Sequence, residues 1–596
     1  MAEPACNIRI DGSRIPPGLV EDLVSVEVVE ELARTCCATI VVRNWDPDKG
    51  ETQLAEGEGG SSLAVGMPVT IELGYGTKTQ EVFTGLIVAL RSRFEATSVP
   101  TLEVECRCDG IRLHGIPRTR LWTEQSDYSV VSEICQQAGF GASGSDGESL
   151  PILTQYRTSD WQYILERSRS LGFPLYVRQG KLSFQAPNAS SEAVAALRWG
   201  LDIISLDLSE DLRNAVAQAT ARAWDPETKA AVTGQTSASG ASFSTGSRST
   251  TSTMLSNAGL TDAWQVEHAD SGALSQSEVT SLSQAIVDAR SLNAYHGVAE
   301  CLGNPALRID NVLSVTGVGT SYDGDYYITR CRHVYRPGRY RSMVEVGRPP
   351  DPLVARARSS NRMPPMAGPV IGKVESFEDS DKKQARVQIS FPWMAGDPKP
   401  VWARLATPAG GPDRGFVYVP EPGDEVAVAF LDDDPRFPVV IGAFWNGVDA
   451  PPDTYDAENN SKRSLVSKTG HKLVLDDSDD APQVLVQTNA GQQVLLDDTS
   501  GSESIELQDK TGNSVKMSSD GISLTAAAGA NISIEAASGS IKLSAQSVTV
   551  QGESEAKLSA GSVTVQGESE LSMSGGMVSI SGEGELSASA PMIKLN

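Results

Sequence analysis

The sequence predicts a mainly β protein with minor α content, in which β-barrel domains and a further small barrel precede a C-terminal intertwined triple-stranded β-helix that is trimeric. Short alternating runs of apolar and polar residues, separated by Gly and Pro turns, are frequent before residue 447. A 15-residue repeat occupies the end of the chain. Of the 34 aromatic residues, only Tyr455 follows residue 446, so the chain has two physical regimes.

Composition excludes several classes of function. The 596 residues carry 50 basic and 76 acidic side chains, a net charge of −26, which opposes binding to nucleic acid. The first ten residues contain Glu3 and Arg9 and no apolar run, so we expect no signal peptide and synthesis in the cytoplasm. No phosphate loop, zinc-protease motif or G-x-S-x-G motif occurs, and no cofactor is predicted.

The N-terminal region, residues 1–350, is predicted as mixed α+β with many strands. We expect one helix to be capped by Asp127, and a second to begin with a capping box of Ser159 and Gln162. A third helix is expected over residues 276–293. The Ser, Thr and Gly-rich stretch 233–253 is predicted as an exposed loop, and the Pro-rich stretch 351–369 as a linker.

A compact series of short strands follows the linker, over residues 370–447. Five or six strands in fewer than 80 residues predict a small barrel. The predicted strands are Val370–Val374, Ala385–Phe391, Val401–Leu405, Phe416–Val419, Val426–Leu431 and Val439–Trp445.

After a second linker, 448–462, residues 463–596 repeat apolar–polar–apolar triplets. Each strand offers two or three inward aliphatic side chains and no aromatic one, too little for one chain to form a core. Three chains around a common axis supply the missing core, whereas a single-chain parallel β-helix usually needs longer coils. The predicted contacts between the chains are Val548, Val550, Val563, Val565, Val578 and Ile580.

The small barrel resembles the OB-fold of spike proteins in contractile injection machines, the VgrG proteins of type VI secretion and the hub-spikes of phage tails and extracellular injection systems. The residues Val419-Pro-Glu-Pro-Gly-Asp-Glu and Asp434-Pro-Arg-Phe-Pro lie at the centre of this likeness. Its signature positions here are Trp402, Arg404, Pro420, Gly423, Asp424, Pro435 and Gly442.

The N-terminal region is similar to the phage late-control D hub, on residues 82–87, 160–167, 180–184 and 326–335. The resemblance implies a trimeric hub under an inner-tube ring, an OB-fold neck and a β-helical needle, in contact with baseplate proteins and carrying effector cargo. It implies a PAAR-type tip protein on Met592, Ile593, Leu595 and Asn596. No lysozyme-like domain and no iron-binding H-x-H tip are expected.

Several side-chain clusters in the sequence are candidate ligand sites. Cys106 and Cys108 share one face of a predicted strand, but further metal ligands are not evident, and the eight cysteines are interpreted mostly as buried thiols. The acids 432–434 and 476–480 are predicted as exposed turn residues rather than Ca²⁺ ligands. The repeated glutamates Glu553 to Glu585 are interpreted as a solvated face, with cation binding as the alternative. Trp402 and Trp445 are predicted to pack in the barrel core.

These observations predict a non-enzymatic homotrimer: the central hub and membrane-puncturing spike of a contractile injection machine, delivered outside the cell or into a target cell on firing. The alternatives are a secreted β-helix enzyme that degrades polysaccharide and a trimeric adhesin. The enzyme needs paired acids in an aromatic-lined groove, and the adhesin needs a secretion signal.

Overall fold

A computed structural model of the chain describes residues 3–15, 20–46, 48–52, 63–189, 191–213, 215–225, 228–243, 248–269, 275–347, 368–377, 384–394, 399–453 and 459–595. The chain divides into two compact units, Met1–Ala450 and Pro451–Asn596. We call the described parts of 1–347 the hub, those of 368–445 the barrel and those of 459–595 the needle. Hub and barrel belong to the first unit, the needle to the second.

The hub strands in chain order are β1 Pro4–Ile10, β2 Ser13–Arg14, β3 Leu23–Glu31, β4 Cys37–Arg43, β5 Pro68–Tyr75, β6 Lys78–Arg93, β7 Thr101–Arg107, β8 Arg118–Ser126, β9 Gly141–Gly144, β10 Ser149–Thr158, β11 Tyr176–Arg178, β12 Lys181–Phe184, β13 Ala195–Arg198, β14 Ile203–Glu210, β15 Gln218–Asp225, β16 Ala230–Ser237, β17 Gln265–Ala269, β18 Tyr295–Leu302, β19 Val312–Thr316, β20 Gly324–Arg336 and β21 Arg339–Val346. The hub helices are α1 Asp127–Gln137, α2 Asp160–Ser170, α3 Thr251–Asn257 and α4 Gln276–Ala294.

One 13-stranded sheet organises the hub. Its main path runs β14-β18-β21-β20-β3-β4-β7-β6-β5-β1-β2, so the last hub strands pair with the first ones through β20 and β3. In β3 the alternating sequence buries Val26 and Val28 completely, as a strand with one face on a core requires. The chain therefore returns to its own beginning before it leaves the hub.

The helix predictions were right in position and partly wrong in their caps. Helix α1 is capped by Ser126, whose side chain accepts from the Ser129 N–H, and Asp127 is its first residue. Ser159 caps α2, but the Gln162 side chain bonds Glu166 instead of completing a capping box. The complete box belongs to α4, between Ser275 and Glu278.

The described parts of the stretch 233–253, residues 233–243 and 248–253, are more ordered than an exposed loop. Its first residues lie in β16, which pairs with β15, and α3 begins at Thr251. The backbone of Gly234 lies so close to α4 that an added Cβ would be 2.5 Å from the Val279 carbonyl. Tertiary packing therefore orders a segment that has no apolar periodicity. The predicted linker 351–369 lies outside the described residues, except for its last two.

The barrel contains β22 Val370–Phe377, β23 Val387–Ser390, β24 Val401–Leu405, β27 Glu425–Phe430 and β28 Pro438–Ala443, closed in the order β22-β23-β24-β28-β27. Between β24 and β27 a two-residue hairpin forms from β25 Gly410–Gly411 and β26 Arg414–Gly415. The predicted strand at Phe416–Val419 was wrong: these residues have no ladder partner. The other five predicted strands are present and form the closed barrel.

The needle begins with a seven-stranded antiparallel meander, in which every strand pairs with the next one along the chain. Its strands are β29 Lys462–Val466, β30 Lys472–Asp476, β31 Gln483–Gln487, β32 Gln493–Asp497, β33 Ser504–Gln508, β34 Ser514–Ser518 and β35 Gly521–Thr525. From 526 to 595 the described backbone forms no ladder within the chain. The triplets at 532–534 and 541–543 and the 15-residue repeats thus have no strand partner in a single chain.

Candidate functional site

The meander carries most of its apolar residues on one of its two faces. Residues directly opposite each other in neighbouring strands share a face, so the pairings define columns that cross the sheet. Two alternate columns contain 13 apolar residues out of 14. The first column is Arg463, Leu475, Val484, Leu496, Ile505, Met517 and Ile522; the second is Leu465, Leu473, Val486, Val494, Leu507, Val515 and Leu524. We call this surface the aliphatic face.

The aliphatic face is uncovered within the chain. Most of its side chains are 37–71% exposed, with Val494 and Ile522 at the two limits. Contiguous apolar surface of this extent is rare on a monomer and marks a site of association. A single sheet with one apolar side also lacks a second layer to pack against. The geometry therefore requires a partner surface along the whole meander.

The opposite face, here the polar face, is polar except for four aliphatic residues in its first four strands: Val466, Val474, Leu485 and Leu495. Gln487 donates to Gln493 at 3.1 Å, and Gln493 donates to Gln508 at 3.0 Å, which forms a ladder along one column. Glu506 and Lys516 stand opposite each other in the middle column. From β33 onward this face carries only polar side chains and Gly521, which suits that part to solvent.

Three five-residue turns repeat along one edge of the meander at a spacing of 21 residues. Gly470, Gly491 and Gly512 occupy the same place in each turn, with φ of +90°, +91° and +97°. In each turn the first side chain accepts from the backbone N–H four residues later, as Asp509 does from Asn513 at 2.9 Å. This 21-residue repeat was not predicted, although the spacing of the three glycines in the sequence indicates it.

The predicted contact residues of the 15-residue repeat are exposed in the chain. Val548 and Val550 are 53% and 76% exposed, and the equivalent residues of the next two repeats are 48–65% exposed. At the predicted tip-docking site, Met592, Ile593 and Leu595 are 72%, 52% and 92% exposed, and Asn596 lies outside the described residues. Both roles stay predictions.

The signature residues of the barrel lie mainly in its turns. Gly423 adopts φ +104°, and the Asp424 carboxylate accepts from the Glu421 N–H at 2.8 Å, which closes the turn before β27. Pro435 is buried, whereas Arg404 is exposed on β24. Pro420 is half-buried and Gly442 lies in β28 opposite Ala427.

The predicted core position of two barrel tryptophans was wrong. Trp402 is 38% exposed and Trp445 is 70% exposed. The barrel core is filled instead by aliphatic residues and Phe391, and the Arg386 guanidinium lies 5.8 Å from the Trp402 ring centroid. The barrel is too narrow to enclose these indoles, because its interior is already filled by side chains of five short strands.

A buried joint fixes the barrel to the hub. Arg436 donates to Glu278 of α4 at 2.7 Å and to Asp434 at 2.8 Å. Burial opposes ionisation of Asp434, but the adjacent Arg436 outweighs it and holds the pKa of Asp434 below its usual range. Asp434 is therefore no exposed turn acid, in contrast to the prediction. Ile152 and Tyr156 of β10 share the hydrophobic core of the barrel.

A second buried polar cluster surrounds His333 in the main hub sheet. Its Nε2 lies 3.0 Å from the Leu307 carbonyl, so this nitrogen carries the proton. The single lone pair of its Nδ1 accepts from one of the two hydroxyl groups that lie 2.9 Å away, those of Ser342 and Tyr340. Burial, together with the nearby Arg308 guanidinium, lowers the pKa of His333 to about 4. The imidazole is neutral at physiological pH.

The cysteine and acidic clusters were compared with the ligand sets that metal ions need. No group of three or more potential ligands comes together among the residues that the structure describes. Cys106 and Cys108 are buried, and burial raises the pKa of Cys106 to about 12, so this thiol stays protonated. Asp476 is buried and pairs with Lys462 at 3.6 Å, whereas Asp477, Asp479 and Asp480 are exposed.

A hub sheet, a closed barrel and a needle with an uncovered aliphatic face define the class of hub-and-spike proteins. Three family descriptions match the chain in the same order. These are the Alg8 N-terminal domain over residues 3–336, the type VI secretion system/phage-baseplate injector OB domain over 370–445, and the phage baseplate V C-terminal trimerisation domain over 483–554. The chain belongs to the VgrG hub-spike family, with an Alg8 N-terminal domain over more than half its length.

Individual relatives match short parts of the chain. It is 31% identical over 113 residues to the actin cross-linking toxin VgrG1 of Vibrio cholerae. This alignment covers 18% of this chain and 10% of that protein. It is 36% identical over 84 residues to the type VI secretion system spike protein VgrG5 of Pseudomonas aeruginosa, 13% of this chain and 10% of that one. The chain thus aligns with about a tenth of each of these relatives.

A solved structure shares the fold over most of the chain. In the Francisella PdpA–VgrG complex, half-lidded, the similar chain gives a TM-score of 0.50 at 9% identity, with 88% of each chain covered. In the part of this chain that the structure describes, no helix is long and apolar enough to cross a membrane.

Proposed function

We propose that the chain is the homotrimeric central hub and membrane-puncturing spike of a contractile injection machine, joining the inner tube and baseplate to a needle tip. The aliphatic face of the meander carries this proposal. Thirteen apolar side chains in two straight columns suit a core that three chains build together. The trimerisation-domain match over residues 483–554 supports the same assembly.

The mechanism is mechanical. Three meanders that pack their aliphatic faces on one axis form a rigid prism, and the 15-residue units extend it by pairing with neighbouring chains, so that no strand edge stays open. Contraction of a sheath drives the tube, and the prism transmits this thrust through a small area into a membrane. The protein acts without a catalytic step in this proposal.

The division of labour follows the chain. We assign residues 1–350 to the tail hub, 370–447 to the OB-fold neck and 463–596 to the needle, with linkers between them. The partners are an inner-tube ring, baseplate proteins, possible effector cargo and a PAAR-type tip protein seated on the exposed residues Met592, Ile593 and Leu595. The chain is assembled into the particle in the cytoplasm and reaches the target on firing.

The rival β-helix enzyme is disfavoured by the meander. All six pairings from β29 to β35 are antiparallel, whereas a single-chain parallel β-helix stacks parallel strands. Mass photometry and negative-stain microscopy of the full chain test the proposal. We expect trimers with a bulky head and a tapered needle, and a folded monomer at micromolar concentration would overturn it.

A further inference from the structure

The two turn edges of the meander differ in charge. The edge of turns 467–471, 488–492 and 509–513, here the lysine edge, carries Lys468, Lys510, Asp509 and His471, a formal net charge of +1 with neutral histidine. The edge of turns 477–482, 498–503 and 519–520, here the acidic edge, carries six carboxylates and no base. These are Asp477, Asp479, Asp480, Asp498, Glu503 and Asp520, and all are exposed.

Among the residues that the structure describes, the acids of this edge have no cationic partner within the chain. None of the six takes part in a salt bridge among the described residues, whereas the strand-end residue Asp476 pairs with Lys462. Glu503 only accepts from the Gly501 N–H at 3.1 Å. Six like charges along one edge repel one another unless a positive surface lies beside them.

Rotational symmetry decides which edges meet. In a three-fold assembly whose axis runs along the direction in which the strands stack, all three sheets have the same orientation. The lysine edge of each sheet therefore lies beside the acidic edge of the next sheet. A perpendicular two-fold axis would bring like edges together instead.

Rotation also preserves height along the axis, which pairs particular turns. The turn 509–513 joins β33 to β34, and the acidic turns 498–503 and 519–520 lie on either side of this level. Each is about one strand spacing, roughly 5 Å, away along the stack. The Lys510 ammonium can reach either turn on a neighbouring copy by its four-carbon stem.

We propose that the lysine edge of each needle docks along the acidic edge of a second copy, with Lys510 between Glu503 and Asp520, so that charge selects three-fold closure over like-edge pairing. This inference rests on the proposed function, because it specifies how the trimer closes. The aliphatic face supplies the bulk of the association, and the edges supply its direction.

Charge reversal in the full chain tests the pairing. Labelled and unlabelled trimers are mixed, and the rate of subunit exchange is followed by energy transfer. We expect Lys510→Glu to speed exchange about tenfold, since each of three equivalent interfaces loses exposed ion pairs that are individually weak. We expect the same direction for the double variant Glu503→Lys with Asp520→Lys. Combining all three changes should restore slow exchange.

Lys516→Glu is the matched control, because it reverses the same charge in the middle of the polar face. Any of three results would overturn the edge pairing while leaving the trimer intact. These are an exchange rate unchanged by Lys510→Glu, an equal rate in Lys510→Glu and Lys516→Glu, and a triple variant that does not return to slow exchange. Raising NaCl from about 50 mM to about 500 mM should reduce the difference between wild type and Lys510→Glu, since exposed charges are screened. A monomeric wild type would instead overturn the proposed function itself. Circular dichroism checks that each variant is folded.

Discussion

The two units of the chain bury apolar side chains in opposite ways. In the first unit the inward-facing aliphatic residues of the hub and barrel strands are covered by the same chain, as Val26, Ile71 and Val426 show at 0% exposed. In the second unit Leu496 is 38% exposed and Ile522 71% exposed, although both lie on the apolar side of a regular sheet. The first unit therefore holds cores built by one chain, whereas we expect the stability of the needle to depend on the concentration of chains.

The largest expected effect tests whether the aliphatic face is the trimer core. Ile522→Asp places a carboxylate on this face, and Ser523→Asp places one on the opposite face of the same strand. Both positions are exposed in the single chain. Three buried charges at a common axis should cost about 3 kcal/mol or more per chain, so we expect Ile522→Asp to abolish trimers at micromolar concentration in mass photometry. Equal trimer fractions for both variants would contradict this.

The next effect tests the self-contained unit at its joint. Arg436→Met leaves the carboxylates of Glu278 and Asp434 without their shared cation. We expect the variant to lose about 4 kcal/mol of unfolding free energy, because breaking a buried pair strands a charge. Denaturant unfolding followed by tryptophan fluorescence measures it. The exposed barrel residue Arg404 gives the control Arg404→Met, for which we expect at most about 0.5 kcal/mol. An equal loss of unfolding free energy in Arg436→Met and Arg404→Met would show that the joint does not stabilise the first unit.

A third prediction concerns pH and the hub alone. The pKa of His333 falls from its ordinary 6.5 to about 4 on folding. Between these two pH values the imidazole is therefore protonated in the unfolded chain and neutral in the folded chain. Stability is therefore full above pH 6.5, falls as the pH drops, and has lost about 3 kcal/mol once the pH reaches about 4. In His333→Gln, whose amide can donate to Leu307 and accept from Tyr340, this decrement should vanish. Denaturant unfolding at several pH values compares the two, and parallel pH profiles would refute the assignment.

Local patterns predicted much of this architecture. Leu282 and Ile286 at helical spacing predicted α4 to within one residue, and the barrel strands followed from alternation between Gly and Pro turns. The predictions that failed depended on contacts between residues far apart in the sequence. Residues 233–237 became a strand because α4 covers them, and Glu278 meets Arg436 across 158 positions of sequence. No periodicity within a short window contains such information.

The needle shows the converse. The number of aliphatic residues in each of its strands can be read from the sequence without any knowledge of distant contacts. The small number of aliphatic residues per strand predicted that one chain cannot form a core, and the meander shows which side chains are left exposed. The charge difference between the two turn edges, however, becomes visible only when the strand pairings place alternate turns together.

The smallest expected effect tests whether the 21-residue turn repeat sets the register of the meander. Gly491 needs φ +91°, a left-handed conformation that an alanine adopts only with strain. Gly491→Ala should therefore lower the stability of the needle by about 1 kcal/mol per chain, although an added Cβ meets nothing closer than the Lys510 Cβ at 3.9 Å. Gly447→Ala, at a glycine with open space around it and no positive φ, is the matched control. Thermal unfolding of the trimer measures both, and an unchanged midpoint for Gly491→Ala would show that these turns follow the strands rather than direct them.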